Sequence, residues 1–467
     1  RSMNMINVRR LAVMTFLGAG MLSDISAQDF SLQADTLNEA RLPAQWDLQS
    51  CIDYALEQNI TIRKNRVTAE STQIDVKTAK AALFPSLSFS TSQQVVNRPY
   101  QETSSRVSGS EIISSNSKTS YNGNYGLNAS WTIYNGSKRL KTLKQERLNN
   151  QVAELDVATS ENTIKESIAQ IYIQILYAAE SVRVNENTLQ VSIAQRDRGQ
   201  ELLNAGSIAK SDFAQLEAQV STDRYQLVTA QATLQDYKLQ LKQLLELDGE
   251  NEMNVYLPKL SDENVLAPLP AKKDVYVSAL AIRPEIEASK LNVEASELGI
   301  DIAKSSYFPT ISLSAGIGTN HTSGSDFTFG EQVKNGWNNS IGLSVSVPIF
   351  NNRQTKSAVQ KAKLQRETNM LSLLDEQKAL YKTIESLWLD ANSAQQRYAA
   401  ANEKLRSTQI SYDLISEQFN LGMKNTVELL TEKNNLLQAQ QEQLQAKYMA
   451  ILNTQLLKFY QGDKLTL

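Results

Sequence analysis

The chain repeats itself, and the repeat limits what it can become. Ala79-Lys80-Ala81-Ala82-Leu83-Phe84-Pro85-Ser86-Leu87-Ser88 corresponds to Ala303-Lys304-Ser305-Ser306-Tyr307-Phe308-Pro309-Thr310-Ile311-Ser312. Further on, Trp131-Thr132-Ile133-Tyr134-Asn135 pairs with Val347-Pro348-Ile349-Phe350-Asn351. Asn204-Ala205-Gly206 precedes Asp212 as Asn420-Leu421-Gly422 precedes Glu428. The landmarks keep one order, so the two halves carry one plan. The repeats are placed at 47–255 and 275–461. The connector, 256–274, opens with the proline-bearing stretch Tyr256 to Pro270. A short tail, 462–467, follows.

Each half carries two segments that alternate with period 2. In Ser340-Ile341-Gly342-Leu343-Ser344-Val345-Ser346-Val347-Pro348-Ile349 the odd positions are apolar and the even ones small or polar. The same phase runs through Tyr121, Leu127, Ala129, Trp131 and Ile133, through Ile311, Leu313, Ala315 and Ile317, and more weakly through Leu87 and Phe89. Strands are therefore expected at about 86–96, 121–134, 310–319 and 340–350. Such alternation puts one face in an apolar medium and the other in a polar one. A length of about 9–11 residues lets a tilted strand cross a bilayer. Trp131, Tyr134, Trp337 and Phe350 fall near strand ends, where interfacial aromatics belong. An ordinary sandwich edge with one wet face is the alternative.

Long helices fill the rest. No proline interrupts the stretches at about 137–203 and 353–419, and Gly199 is the lone glycine in them. At ~1.5 Å per residue each spans roughly 100 Å. Leu380, Ile384, Leu387, Ala391, Ala394, Tyr398, Ala401, Leu405, Thr408, Tyr412, Ile415 and Phe419 form a 4-3-4-3 seam of the coiled-coil kind. Ile164, Ile168, Ile171, Ile175, Ala178, Val182 and Leu189 keep a compatible rhythm. A narrow seam on a polar cylinder suits a thin-walled assembly wetted on both sides. Shorter helices are expected at about 48–82, 212–247, 275–307 and 427–460. Cys51 reads as a small core residue on the first of these.

Four strands cannot close a barrel, since bacterial single-chain membrane barrels need about eight or more. An open sheet edge in lipid leaves unsatisfied backbone groups at several kcal/mol each. The chain must therefore pool strands with copies of itself, and three copies supply twelve. The amino terminus reads as a secretory signal, 1–27. Arg9 and Arg10 precede an apolar run from Leu11 to Leu22, and small residues end at Ala27. No Cys sits at the cleavage point, so an amino-terminal lipid anchor is not expected. The segment 28–46 begins the mature chain. No mature segment has the ~18 consecutive apolar residues of a membrane helix.

Composition removes whole classes. With 47 basic and 50 acidic residues in 467, the net charge is −3, and no nucleic-acid partner is expected. One His and one Cys leave no zinc set, histidine triad or disulfide framework. No phosphate loop or nucleophile elbow occurs, so neither enzyme activity nor cofactor is expected.

The doubled strand–strand–long-helix plan, the repeated Phe84-Pro85 and Phe308-Pro309, and the glycine-bearing helix tips resemble the TolC family of outer-membrane efflux proteins. The resemblance covers about residues 46–461. It implies a homotrimer, mainly α, with a twelve-stranded β-barrel in the outer membrane and antiparallel coiled-coil helices forming a periplasmic α-barrel. It implies an exit duct for small molecules, joined through a periplasmic adaptor to an inner-membrane transporter. The outlet of a type I protein secretion system is the alternative cargo reading. A trimeric coiled-coil stalk or adhesin fits the helices but not the duplication with its strand pairs.

The resemblance places the periplasmic gate at the turns 203–212 and 419–428. By position, Ser211, Asp212, Phe419, Lys424 and Glu428 are the gate candidates. Gly206, Ser207, Gly422 and Met423 are the candidate adaptor-docking tips. Glu428 would form a threefold carboxylate ring that favours cations. A plainer reading stands beside this one. Asp212 with Gln215, and Asn425 with Glu428, fit the capping-box pattern, and the glycines can be helix stops. The loops at about 97–121 and 320–339 are rich in Ser, Asn, Gly and Thr and are expected at the cell surface, with His321 solvated there.

Overall fold

The computed structural model describes residues 43–100, 104–108, 111–115, 118–248, 253–258, 265–323, 325 and 327–466. The expected signal, 1–27, and the segment to 42 lie outside the described residues. The chain divides into two units. In the small one Trp46 forms a parallel bridge with Val255, and Trp46 accepts from Tyr256 N at 2.8 Å. The large one, Asp47–Met253 with Leu257–Leu467, carries the helices of the described residues and the main sheet.

Its elements run α1 (Leu48–Gln58), α2 (Ile60–Ala81), β1 (Ser86–Asn97), β2 (Ser104–Ser108), β3 (Glu111–Ser115), β4 (Thr119–Asn135), α3 (Lys138–Asn204), α4 (Lys210–Leu244), α5 (Lys272–Ile282), α6 (Pro284–Ser305), β5 (Thr310–Thr322), α7 (Phe329–Asn335), β6 (Asn338–Ser346), α8 (Gln354–Asn420) and α9 (Thr426–Gln461). The duplication is visible in the backbone. α3 and α8 each have 67 residues. Each is entered through a left-handed residue, Ser137 at φ 63° and Arg353 at φ 65°.

The main sheet is antiparallel in the order β1-β4-β5-β6, so β4 and β5 join the two halves. β1 and β6 are its edges. The register sorts side chains by face, since directly paired residues share one. One face carries the rows Leu87–Ala129–Ala315–Ile341 and Phe89–Leu127–Ile317, with Trp131–Leu313–Leu343 beside them. The other carries Ser86–Ser130–Ser314–Gly342, Ser88–Asn128–Gly316–Ser340 and Ser90–Gly126–Gly318–Asn338. β4 bulges between Thr132 and Tyr134. The bulge absorbs Ile133 and sets Tyr134 opposite Ile311, so Tyr134 rather than Ile133 continues the aliphatic row.

Several expected boundaries differ from the structure. β6 ends at Ser346, before Pro348, which has no N–H to give a ladder. The loop expected at 97–121 contains the β2–β3 hairpin, and 320–339 contains the short helix α7. Two of the shorter helices are broken in two. At Asn59 the chain turns extended, and its side chain accepts from Thr61 N and donates to Leu244 O at 3.0 Å. At Arg283 the residue before Pro284 is forced extended and the proline opens α6 at its first position.

The helices pack as two hairpins, α3 on α4 and α8 on α9. α2 and α6 lie against α3, and α6 also lies against α8. Every residue of the expected α8 seam is buried or half-buried. One core cluster joins Ile173, Val265, Ala394, Tyr398, Ala450 and Ile451. A second joins Val275, Ala279, Ile286, Ile384, Ala391 and Leu457. The connector is strapped to α8. Gln395 Nε2 donates to Val265 O and Ala267 O at 2.9 and 2.8 Å, and Trp388 Nε1 to Pro270 O at 2.9 Å.

Candidate functional site

Two regions stand out chemically: a sheet with two unlike faces and the paired helix tips. The aliphatic sheet face is bare, with Ile341 83% exposed and Phe89, Leu343 and Val345 also exposed. A soluble sheet would bury that face, because leaving it wet forfeits roughly 25 cal/mol per Å². The opposite face consists of hydroxyls and amides bonded across strands, such as Ser86 Oγ to Ser130 Oγ at 2.9 Å and Asn124 Nδ2 to Ser92 Oγ at 3.2 Å. β1, β4, β5 and β6 contain no Asp, Glu, Lys or Arg. The aromatics expected at the interface, Trp131, Tyr134, Trp337 and Phe350, are all exposed. Trp131 Nε1 donates to Leu83 O at 2.8 Å, which ties β4 to the end of α2. His321 is not solvated as expected. It lies half-buried among Tyr121, Tyr125 and Phe329, with ring centroids 5.1, 5.8 and 5.0 Å away. The polar loop composition hid this because β5 extends further than its alternation suggested.

At the far ends of the long helices the two turns are near copies. Gly206 has φ 66° and Gly422 φ 74°, and a Cβ on either would meet nothing within 4 Å. Only backbone conformation therefore demands glycine. Gly206 N donates to Leu203 O and Ser207 N to Leu202 O at 3.0 and 2.8 Å. Gly422 N donates to Phe419 O and Met423 N to Gln418 O, both at 2.9 Å. This doubled pattern is the Schellman closure of a helix. Ser207 and Met423 are exposed on the turns.

The gate candidates are placed as follows. Asn425 and Glu428 form the expected capping box, with Glu428 N donating to Asn425 Oδ1 at 2.9 Å and Asn425 N to Glu428 Oε2 at 3.2 Å. Lys424 Nζ meets Glu428 Oε1 at 2.5 Å. The Lys424 ammonium, then the Asn425 N–H, hold the Glu428 carboxyl below its ordinary range. Asp212 is not a helix cap with Gln215. It sits at the third position of α4 and accepts from Ala209 N at 3.3 Å. Lys424 and Asp212 therefore each bond within their own turn. Ser211 is exposed beside Asp212. Phe419 is 3% exposed, so its ring packs inside the protomer. The period that put Phe419 on the seam is what buries it.

A buried polar cluster lies inward from these turns, and the sequence reading missed it. Lys433 Nζ bonds Asp223 Oδ2 and Ser192 Oγ, and Ser192 Oγ bonds the same carboxylate oxygen. All three residues are at most 3% exposed. Gln219 Nε2 takes the other oxygen, Asp223 Oδ1, at 2.9 Å. Desolvation pulls the lysine pKa down, while the Asp223 carboxylate works against that shift. The cluster joins α3, α4 and α9. Removing one partner of such a buried pair costs about 3–5 kcal/mol, whereas a solvent-screened pair such as Lys424–Glu428 contributes far less. Among the described residues no group of His, Cys, Asp and Glu could hold a metal ion, and no helix is long and apolar enough to cross a membrane.

Comparison with known proteins agrees with this geometry. The family model described as outer membrane efflux protein matches residues 51–246 and 275–462, one match per half. The chain is 26% identical over 294 residues to the outer membrane efflux protein BepC of Brucella suis, covering 62% of this chain and 61% of that protein. It is 24% identical over 341 residues to the outer membrane protein TolC of Escherichia coli, covering 70% and 66%. These alignments thus span just under two thirds of each relative. Crystal structures of CusC superpose with a TM-score of 0.76 at 19% identity, over 90% of this chain and 93% of that one. VceC of Vibrio cholerae gives 0.73 at 16% identity, over 90% and 97%. Those structures share the fold. With both halves matched and the two-faced sheet in place, the chain belongs to the outer membrane efflux protein family and is a protein of the Gram-negative outer membrane.

Proposed function

We propose that three copies of this chain form a duct through which small molecules leave the cell. The observation that carries this reading is the four-stranded sheet. It has an exposed aliphatic face, an uncharged polar face and two unpaired edges. In lipid such a sheet is stable only if its edges are joined by further strands. Shared among three protomers, the edges disappear, the aliphatic face meets lipid and the hydroxyl and amide face lines water. The helical hairpins continue the passage into the periplasm, where an adaptor meets the turns at Gly206, Ser207, Gly422 and Met423 and links them to an inner-membrane transporter. Ser211, Asp212, Lys424 and Glu428 set the polar surroundings of the narrow end. The proposed work is passage, with no bond made or broken by the protein.

Purified protein reconstituted in planar bilayers tests the duct directly. Discrete ion-conducting steps from a trimer are expected, and a trimer that inserts but never conducts refutes it. A second cargo reading draws on one similarity. The chain is 22% identical over 309 residues to the alkaline protease secretion protein AprF of Pseudomonas aeruginosa. Deleting the gene separates the two cargoes. Drug hypersensitivity with normal secreted protein supports small molecules, and the reverse supports polypeptide export.

A further inference from the structure

The buried Ser192–Asp223–Lys433 cluster has no part in closing either turn, yet it ties together three of the four long helices. Counted along the helices at ~1.5 Å per residue, Ser192 lies about 18 Å before the end of α3, and Lys433 about 10 Å after the start of α9. The cluster is therefore set back from the turns, where the first hairpin faces the second. One turn away on the same helices, Leu189 on α3, Val220 on α4, and Leu429 and Leu436 on α9 are all buried. Asp223 has both oxygens taken, Oδ1 by Gln219 and Oδ2 by Lys433 and Ser192. Gln219 also reaches across to Asn434 on α9 at 3.3 Å. At this level α8 meets the others through part-buried bonds, Gln195 Nε2 to Tyr412 OH at 2.8 Å and Ser411 Oγ to Glu432 Oε2 at 3.2 Å.

We propose that Lys433 is a positioning residue for transport: by clamping α9 onto Asp223 and Ser192 of the first hairpin, it fixes the spacing of the two hairpins and so sets the resting aperture of the narrow end. This rests on the duct reading above. The physical reason is the contrast in surroundings. Lys424–Glu428 stands in water, where screening and competing water make its loss cheap. Lys433–Asp223 is buried, and the carboxylate left without its cation by losing Lys433 must find water. The simplest way to admit water is for the hairpins to part, which widens the passage they enclose.

Single-channel recording on assembled trimers tests the clamp. Lys433→Met should raise the resting conductance severalfold over wild type, and more than Lys424→Met does. Combining Lys433→Met with Asp223→Leu removes both charges and replaces them with apolar volume, so the low conductance should return. Lys433→Met trimers that melt earlier but conduct like wild type would reduce the cluster to fold support and overturn the proposal. Should Lys433→Met fail to assemble, Ser192→Ala takes its place. It keeps both charges and removes only the bridging hydroxyl. A smaller rise in conductance is expected, and unchanged conductance overturns the clamp. Absence of conductance in wild-type trimers would refute the duct itself, an outcome distinct from every result above.

Discussion

Lys424 and Glu428 show how little one exposed pair can hold and how that can still be measured. Glu428 has a folded pKa below its ordinary value of 4.5, first through Lys424 and then through the Asn425 N–H. A depressed carboxyl contributes stability that is complete above the unfolded value and disappears as pH falls through the folded one. Loosening of the second turn should therefore begin only below about pH 4.5. Conductance recorded against pH should rise in that acid window in wild type and lose that component in Glu428→Gln. Lys424→Glu places two carboxylates side by side at neutral pH and should widen the turn, giving a modest rise in conductance. If conductance is unaltered, Lys424 has no place in the gate. Sequence reasoning named both residues and found the Asn425–Glu428 cap, because cap chemistry is local, but it did not pair Lys424 with Glu428. It placed Asp212 in the wrong cap position because the residue that caps α4 is Ala209, which has no polar side chain to signal it.

Among the elements, the junction between α5 and α6 holds a second buried cation. The Arg283 side chain is 5% exposed and pairs with Glu166 at 2.6 Å and Glu285 at 3.5 Å, with the Tyr460 ring 3.7 Å away. Burial, reinforced by Glu166, pushes the Tyr460 phenol up to about 12, so it stays neutral under the arginine. The contact ties α3, α6 and α9 together where the short helix breaks. Arg283→Met should lower stability by on the order of 3 kcal/mol, reduced from the fully buried case because both glutamates keep some solvent. A thermal melt in detergent measures it, and an unchanged midpoint would show that the pair contributes nothing. The sheet makes its own prediction. Leu343 lies on the bare aliphatic face of β6, so Leu343→Lys should cost about 2–4 kcal/mol if that face meets lipid near the midplane. The proportion of heat-resistant trimer on a gel should fall, whereas Ser314→Asn on the opposite face should leave it intact. Equal losses from both would deny the faces their separate solvents. Alternation made these faces legible residue by residue, but the bulge at Ile133 depends on how neighbouring strands pair.

For the whole molecule, β1 and β6 have no partner on their outer sides among the described residues of one protomer. Cysteines scanned along β1 and β6 in a cysteine-free background should give disulfides between neighbours, and three-membered covalent rings on a non-reducing gel. Cross-links that stop at pairs, or a stable monomer in water without detergent, would contradict the shared barrel. The duplication, the strand faces, the long helices and the glycine turns could all be read from the sequence, because each is a periodic or near-neighbour pattern fixed by backbone geometry. The aromatic packing of His321, the strapping of the connector by Gln395 and Trp388, and the meeting of Ser192 with Asp223 and Lys433 were decided only by the tertiary structure. Those partners lie far apart in the chain, and which helix faces which is settled by packing the two halves together, a choice that no local period encodes.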